Sequence, residues 1–205
     1  MGPDGKLLGT GRDLVASYNM FIAGFPWHVR LNNMNPLDTH DIPRFKTFAI
    51  EGAQHVAAGL QFSFPGIPVI WAGDEFGLDG WNGENSRTPI PWNDERPSDR
   101  QMIEVYAALA KLRRENPALV DGGMRWLAAT DEAIIFVREH KKQSVLVMAT
   151  RGKVKDLTIS ASAVAGLAQA ERIYGTGSIK LGKKNAHFSS GKLSFTAWRL
   201  PAAKH

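Results

Sequence analysis

The chain contains no cysteine among its 205 residues, which excludes disulfides, thiolate metal sites and thiol redox chemistry and suits a reducing compartment. Long apolar runs are missing as well. Nothing approaches the roughly 18 residues that a membrane-spanning helix requires. The opening Met1-Gly2-Pro3-Asp4-Gly5 lacks the basic-then-apolar layout of a secretion signal, so a cytoplasmic address is expected. Internal repeats and low-complexity tracts are also absent. What remains, 43% hydrophobic and 22% charged residues, is the composition of an ordinary globular protein.

Concentrated positive charge is scarce too, despite a net charge of +5. Residues 1–100 carry 8 Lys and Arg against 12 Asp and Glu, and residues 101–205 carry 17 against 8. The tightest basic group, Lys180, Lys183 and Lys184, sits in a Gly-rich turn without aromatic side chains to stack on bases. A solvated basic face is expected there, with no nucleic-acid partner.

The length predicts a main core plus a second small module. Helical spacing runs from Asp13 to Phe21 and is broken at Gly24-Phe25-Pro26. A short segment, Leu31 to Leu37, reads as a strand. It leads into the polar stretch Asp38-Thr39-His40-Asp41-Ile42-Pro43-Arg44. From Phe45 to Leu60 the spacing of Phe48, Val56 and Leu60 among alanines predicts one buried helix. Ile67-Pro68-Val69-Ile70-Trp71-Ala72 is a continuous apolar run, predicting a parallel strand covered on both faces, and it stops at Gly73-Asp74-Glu75. After a loop from Gly77 to Pro97, Ser98-Asp99-Arg100-Gln101 predicts a capping box for a helix carrying Met102, Val105, Leu109 and Leu112. Pro117 ends that helix. The order strand, helix, strand, helix predicts a parallel sheet.

Beyond Ala118 the pattern changes to short alternating strands: 124–128, 133–138, 144–149, 154–160, 171–174 and 193–200. Turn signals at Arg151-Gly152, Gly175-Thr176-Gly177 and Ser189-Ser190-Gly191 separate them. The expected fold class is therefore α/β followed by all-β, with an antiparallel β-sandwich in the second part.

Both polar clusters follow strands, where an α/β sheet gathers its active-site groups. Asp41 with Asp74 or Glu75 could form an acid/base pair beside the His40 imidazole. Equally, strand-end carboxylates cap following helices or pair with Arg44. Trp81 and Trp92 present faces for sugar stacking or for packing on the rim. Asp79, Asn82, Glu84 and Asn85 offer oxygen ligands in a Gly-rich loop, read either as a calcium site or as a solvated acidic loop. Their spacing is not that of an EF-hand, and no metal or other cofactor is required.

Three stretches carry a resemblance. Leu37-Asp38-Thr39-His40-Asp41-Ile42-Pro43-Arg44-Phe45 is similar to the His-Asp segment of the α-amylase family of glycoside hydrolases. Pro65-Gly66-Ile67-Pro68-Val69-Ile70-Trp71-Ala72-Gly73-Asp74-Glu75-Phe76-Gly77 resembles that family's last barrel strand. Asn85-Ser86-Arg87-Thr88-Pro89-Ile90-Pro91-Trp92 resembles the stretch that follows it in members acting on oligosaccharides, such as neopullulanases and α-glucosidases. Thr39, Trp71 and Pro91 depart from the family's usual residues.

The resemblance implies the last two βα units of a (β/α)8 barrel in residues 1–118 and a C-terminal β domain in residues 119–205. It implies an α-glucan or maltooligosaccharide as partner. His40 and Asp41 are implied to hydrogen-bond sugar hydroxyls and stabilise the transition state, with Arg44, Arg87 and Trp81 as further substrate-binding candidates. A retaining mechanism also needs a nucleophilic carboxylate and an acid/base carboxyl about 5 Å apart. No segment matching either is found before His40. Gly123-Met124-Arg125 is only superficially like the nucleophile segment.

The expectation is thus a portion of a retaining α-glucan hydrolase, inactive alone, with a free sheet edge favouring self-association. Two alternatives stay open. One is an active hydrolase whose site is completed by oligomerisation, using Asp41 with Asp74 or Glu75. The other is a non-catalytic glycan- or protein-binding module.

Overall fold

The computed structural model describes residues 9–93 and 98–202. The Met1-Gly2-Pro3-Asp4-Gly5 opening and the end of the loop reaching Pro97 lie outside the described residues.

Helix α1 (Gly11–Ile22) begins at a reciprocal cap: the Thr10 hydroxyl accepts from Asp13 N, and the Asp13 carboxylate accepts from Thr10 N at 2.7 Å. Its Tyr18 ring lies 5.1 Å from that of Phe64 and 5.6 Å from that of Trp126. The segment expected as a strand from Leu31 is instead helical at its start. Pro26 fixes a φ of −57°, its carbonyl accepts from Val29 N and Arg30 N, and α2 (Trp27–Asn32) follows. Strand β1 is only Met34–Pro36.

The single helix expected from Phe45 to Leu60 is two, α3 (Phe45–Phe48) and α4 (Ala53–Ser63). Gly52 divides them, with a φ of +77° that side-chain-bearing residues rarely adopt. Strand β2 (Ile67–Val69) pairs parallel with β1, Met34 opposite Ile67 and Pro36 opposite Val69. The expected doubly covered strand is therefore shorter and more open. Pro68 has no N–H for the ladder, and Ile67 and Ile70 remain 47% and 39% exposed.

A 3₁₀ turn at Asp74–Phe76 and helix α5 (Gly83–Ser86) come next. Helix α6 (Arg100–Glu115) is capped by Asp99, whose carboxylate accepts from Gln101 N at 3.0 Å, rather than by a box led from Ser98. Pro117 ends α6 by opening α7 (Pro117–Val120).

The remaining chain is antiparallel β structure. Strands β3 (Gly123–Ala129), β4 (Ala133–His140), β5 (Gln143–Thr150), β6 (Val154–Ser160), β7 (Glu171–Tyr174), β8 (Ser178–Leu181), β9 (Asn185–Ser190) and β10 (Ser194–Pro201) form two sheets. Their orders are β3-β4-β5-β10-β7 and β6-β9-β8. Alternate side chains of β4 and β5 divide between two cores, as the two-residue period of a strand requires. Ile134, Phe136, Val145 and Val147 pack against Phe62 of α4, Leu109 of α6 and Leu119 of α7. Ile135, Val137, Leu146 and Met148 pack against Ile159, Ala186 and Phe188 of the three-stranded sheet. The larger sheet thus has helices on one face and a second sheet on the other.

Gly59 sets the distance at which α4 lies on β10, because a Cβ at this position would overlap the Phe195 ring.

Candidate functional site

The polar segment after β1 divides into an inward and an outward half. Inward, Asp38 caps α3 by accepting from Phe45 N at 2.6 Å, and Arg44 turns beneath the following loop. The Arg44 guanidinium meets Asp74 Oδ1 at 2.8 Å, Ala72 O at 2.7 Å and Ser86 O at 3.0 Å. It also lies 5.5 Å from the Trp71 ring centroid. Gly73 permits this approach: its φ is +109°, and a Cβ there would fall 2.8 Å from the guanidinium. Arg44 and Asp74 are only 1% and 2% exposed.

Two carboxyls and one guanidinium share this interior. Burial first, and the adjacent Asp38 carboxyl second, push Asp74 up to about 8, against the opposing pull of Arg44. With Asp74 protonated the trio is charge-balanced. The Asp74 O–H would then be a donor for Asp38 Oδ1, which finds no hydrogen-bond partner among the described residues.

Outward, His40 Nε2 lies 3.3 Å from Asp41 Oδ1, and both side chains are more than half exposed. The same Asp41 oxygen is 3.4 Å from Arg87 Nη2. Arg87 donates from Nε to His40 O at 3.1 Å and pairs through Nη1 with Glu84 Oε1 at 3.2 Å. Helix α5 positions Arg87 just past its end, and Asn82 caps that helix by accepting from Asn85 N at 2.8 Å. His40, Asp41 and Arg87, separated by up to 47 positions, therefore form one solvent-facing corner of opposite charges and hydrogen-bonding groups. Polar hydroxyl-rich ligands suit such a corner.

Comparison with known proteins gives the corner a context. No family model matches the chain. It is 30% identical over 161 residues to α-amylase 2 of Dictyoglomus thermophilum, covering 74% of this chain and 28% of that protein. It is 32% identical over 137 residues to a cyclomaltodextrinase of a Bacillus species, covering 64% of this chain and 24% of that one. The debranching enzyme from Nostoc punctiforme superposes on 92% of the chain and on 40% of its own length, with a TM-score of 0.80 at 20% identity. The chain belongs to the α-amylase family. It corresponds to a C-terminal portion of these α-glucan hydrolases and spans about a quarter of the length of the curated relatives it matches.

Within this α-amylase-family chain the candidate residues separate. His40, Asp41 and Arg87 come together at the surface. Arg44 and Asp74 do not join them: their buried pair is the structural alternative to substrate contact, and burial keeps Arg44 from a ligand in solvent. Glu75 folds back to accept from Gly73 N at 2.8 Å. No hydrogen bond or ion pair among the described residues links Asp41 to Asp74 or Glu75. Trp81 is 64% exposed and stands edge-on to Phe48 at 5.8 Å, with its indole open on one side.

Three of the four loop residues considered for calcium have other partners. Asn82 and Asn85 accept from backbone N–H groups, and Glu84 holds Arg87. Among the described residues no three His, Cys, Asp or Glu side chains converge as metal ligands. Glu84 is the contributor the sequence did not single out for this role. Its three-residue spacing to Arg87, just past the end of α5, was the available signal.

Proposed function

We propose that this chain contributes a sugar-binding corner, built from His40, Asp41 and Arg87, to a retaining α-glucan hydrolase. Residues 1–118 then form the last two βα units of a (β/α)8 barrel, and residues 119–205 form its C-terminal β-sandwich. The observation carrying this is the Asp41 carboxylate, exposed and held between His40 and Arg87 on the segment that immediately follows a parallel strand. A carboxylate in that position accepts hydrogen bonds from adjacent sugar hydroxyls and stabilises positive charge developing on a sugar ring. Arg87 fixes its orientation. Arg44 and Asp74, beneath, fix the backbone that carries it.

Hydrolysis with retention requires two further carboxyls, a nucleophile and an acid/base. The motifs for these are missing from residues 1–205, and Asp74 and Glu75 are otherwise engaged. The chain alone therefore binds α-glucan without cleaving it. Titrating maltoheptaose into purified protein by calorimetry, alongside a reducing-sugar assay on maltooligosaccharides and starch, tests this. Binding weakened by Asp41→Asn, with no sugar released, is the expected result. Release abolished by Asp41→Asn and by Glu75→Gln would instead support a site completed by oligomerisation.

A further inference from the structure

We infer that Trp71 is a positioning residue for the candidate site: its indole carries the rigidity of the buried Arg44 outward to the His40 imidazole. The inference rests on reading His40 as part of a sugar-binding corner, and it deepens that reading by naming what holds the imidazole in place.

Trp71 stands where the inward and outward halves of the polar segment meet. On the inward side the Arg44 guanidinium lies 5.5 Å from the indole centroid, within the range of a cation–π contact, for which indole is the best of the aromatic side chains. Arg44 is 1% exposed and fixed by Asp74 and by the Ala72 and Ser86 carbonyls, so it forms an immobile base. On the outward side the His40 ring lies 5.9 Å from the Trp71 ring and is tilted 47° to it, inside the separation at which aromatic pairs attract. The Trp71 backbone is fastened as well, its carbonyl accepting from Asp74 N at 3.0 Å.

The polar atom of the indole has no share in this. Trp71 Nε1 is buried and finds no hydrogen-bond partner among the described residues. A buried N–H without a partner is a cost that a purely apolar side chain would avoid. It also leaves Trp71 no open donor for a sugar hydroxyl, in contrast to Trp81, which is 64% exposed. What Trp71 offers is its π system, and the polar side chains that meet it are Arg44 and His40.

His40 needs such a support. Its side chain is more than half exposed, and Arg87 Nε holds only its backbone carbonyl. Asp41, 3.3 Å from His40 Nε2, is exposed itself and cannot fix the ring alone. An imidazole free to change rotamer gives up that freedom when a sugar binds. One already packed on Trp71 has given it up beforehand, which favours binding.

The test uses the whole chain, maltoheptaose as probe, and the variants Trp71→Leu, Trp71→Phe and His40→Ala, each checked for folding by circular dichroism. The imidazole NMR signals of His40, assigned by their loss in His40→Ala, should be shifted by the indole ring current and show nuclear Overhauser contacts to Trp71. In Trp71→Leu that shift should collapse, and maltoheptaose affinity should fall about three- to tenfold, the range for one side chain that must be ordered on binding. Trp71→Phe should recover most of both. In the His40→Ala background, Trp71→Leu should weaken binding no further, because the indole acts only through the imidazole. A loss that persists without His40 overturns the inference, since Trp71 would then touch the sugar directly or merely support the fold. So do unchanged His40 signals in Trp71→Leu. Should Trp71→Leu not fold, the wild type and Trp71→Phe decide: a wild-type His40 ring without Overhauser contacts to the indole overturns the inference. A wild type that binds no maltoheptaose removes the sugar-binding reading instead, and the His40 signals still decide whether Trp71 holds the imidazole.

Discussion

Arg138 donates to the carbonyl oxygen of Ser63 at 2.6 Å across 75 positions of sequence, tying the end of α4 to the middle of the sheet. Its other donors reach Leu119 O at 3.1 Å and Gly122 O at 2.8 Å, and the side chain is fully buried. One guanidinium thus satisfies the carbonyl ends of two helices and a turn, where the helix dipoles favour positive charge. Arg138→Met keeps the bulk and strips every donor. Each carbonyl left dry costs about 1–3 kcal/mol, so a loss of at least about 3 kcal/mol is expected in urea unfolding. Arg138→Lys, with fewer donors and no planar fork, should fall between.

The contact between Gly59 and Phe195 makes the opposite kind of prediction. In an exposed helix, Gly→Ala stabilises by about 1 kcal/mol. Here the added methyl would overlap the Phe195 ring in a packed interface. Gly59→Ala is expected to destabilise by about 1–3 kcal/mol, the usual cost of overpacking. The double variant Gly59→Ala, Phe195→Leu should recover part of that, and thermal unfolding of the four proteins reads the coupling.

The strands of the larger sheet were legible because Ala133–Val137 and Val145–Ala149 are apolar throughout, and a strand covered on both faces has no polar face to show. Strands β8 and β9 were missed. Lys180, Lys183, Lys184 and the surrounding glycines resemble a solvated turn, and the pairing of Lys180 with His187 on an open sheet face leaves little apolar signal. The break at Gly52 was hidden among helix-forming alanines, because only the left-handed φ, a tertiary choice, marks it. At the candidate site the sequence named the residue types and missed their direction. Arg44 and Arg87 both follow a strand or helix end, and nothing local states that one turns inward to Asp74 while the other reaches Asp41.

The Asp38, Asp74 and Arg44 trio predicts a pH dependence of stability. Asp74 has its pKa raised to about 8 in the folded protein, above the ordinary carboxylate value it regains on unfolding. The folded state therefore holds a proton that the unfolded state has released. The resulting stability is fully present below about pH 4 and is lost as pH rises through about 8. Asp74→Asn keeps a donor for Asp38 and one carboxylate for Arg44. It should flatten the dependence of the urea midpoint between pH 5 and 9 and be relatively more stable at the alkaline end.

Arg87 and Asp41 allow binding to be separated from folding. Their pair is solvent-exposed at 3.4 Å, so its contribution to stability is expected to be under about 1 kcal/mol, and Arg87→Ala should leave the unfolding midpoint almost unchanged. Glycan binding should respond differently, because Arg87 also holds the His40 carbonyl and thereby the geometry of the corner. Maltoheptaose affinity is expected to fall about fivefold or more in Arg87→Ala, and no further than that in the double variant with Asp41→Asn, since both changes disable one unit. Strictly additive losses would mean that the two residues meet the sugar independently. That outcome would remove Arg87 from the role of orienting Asp41 while leaving it as a direct contact.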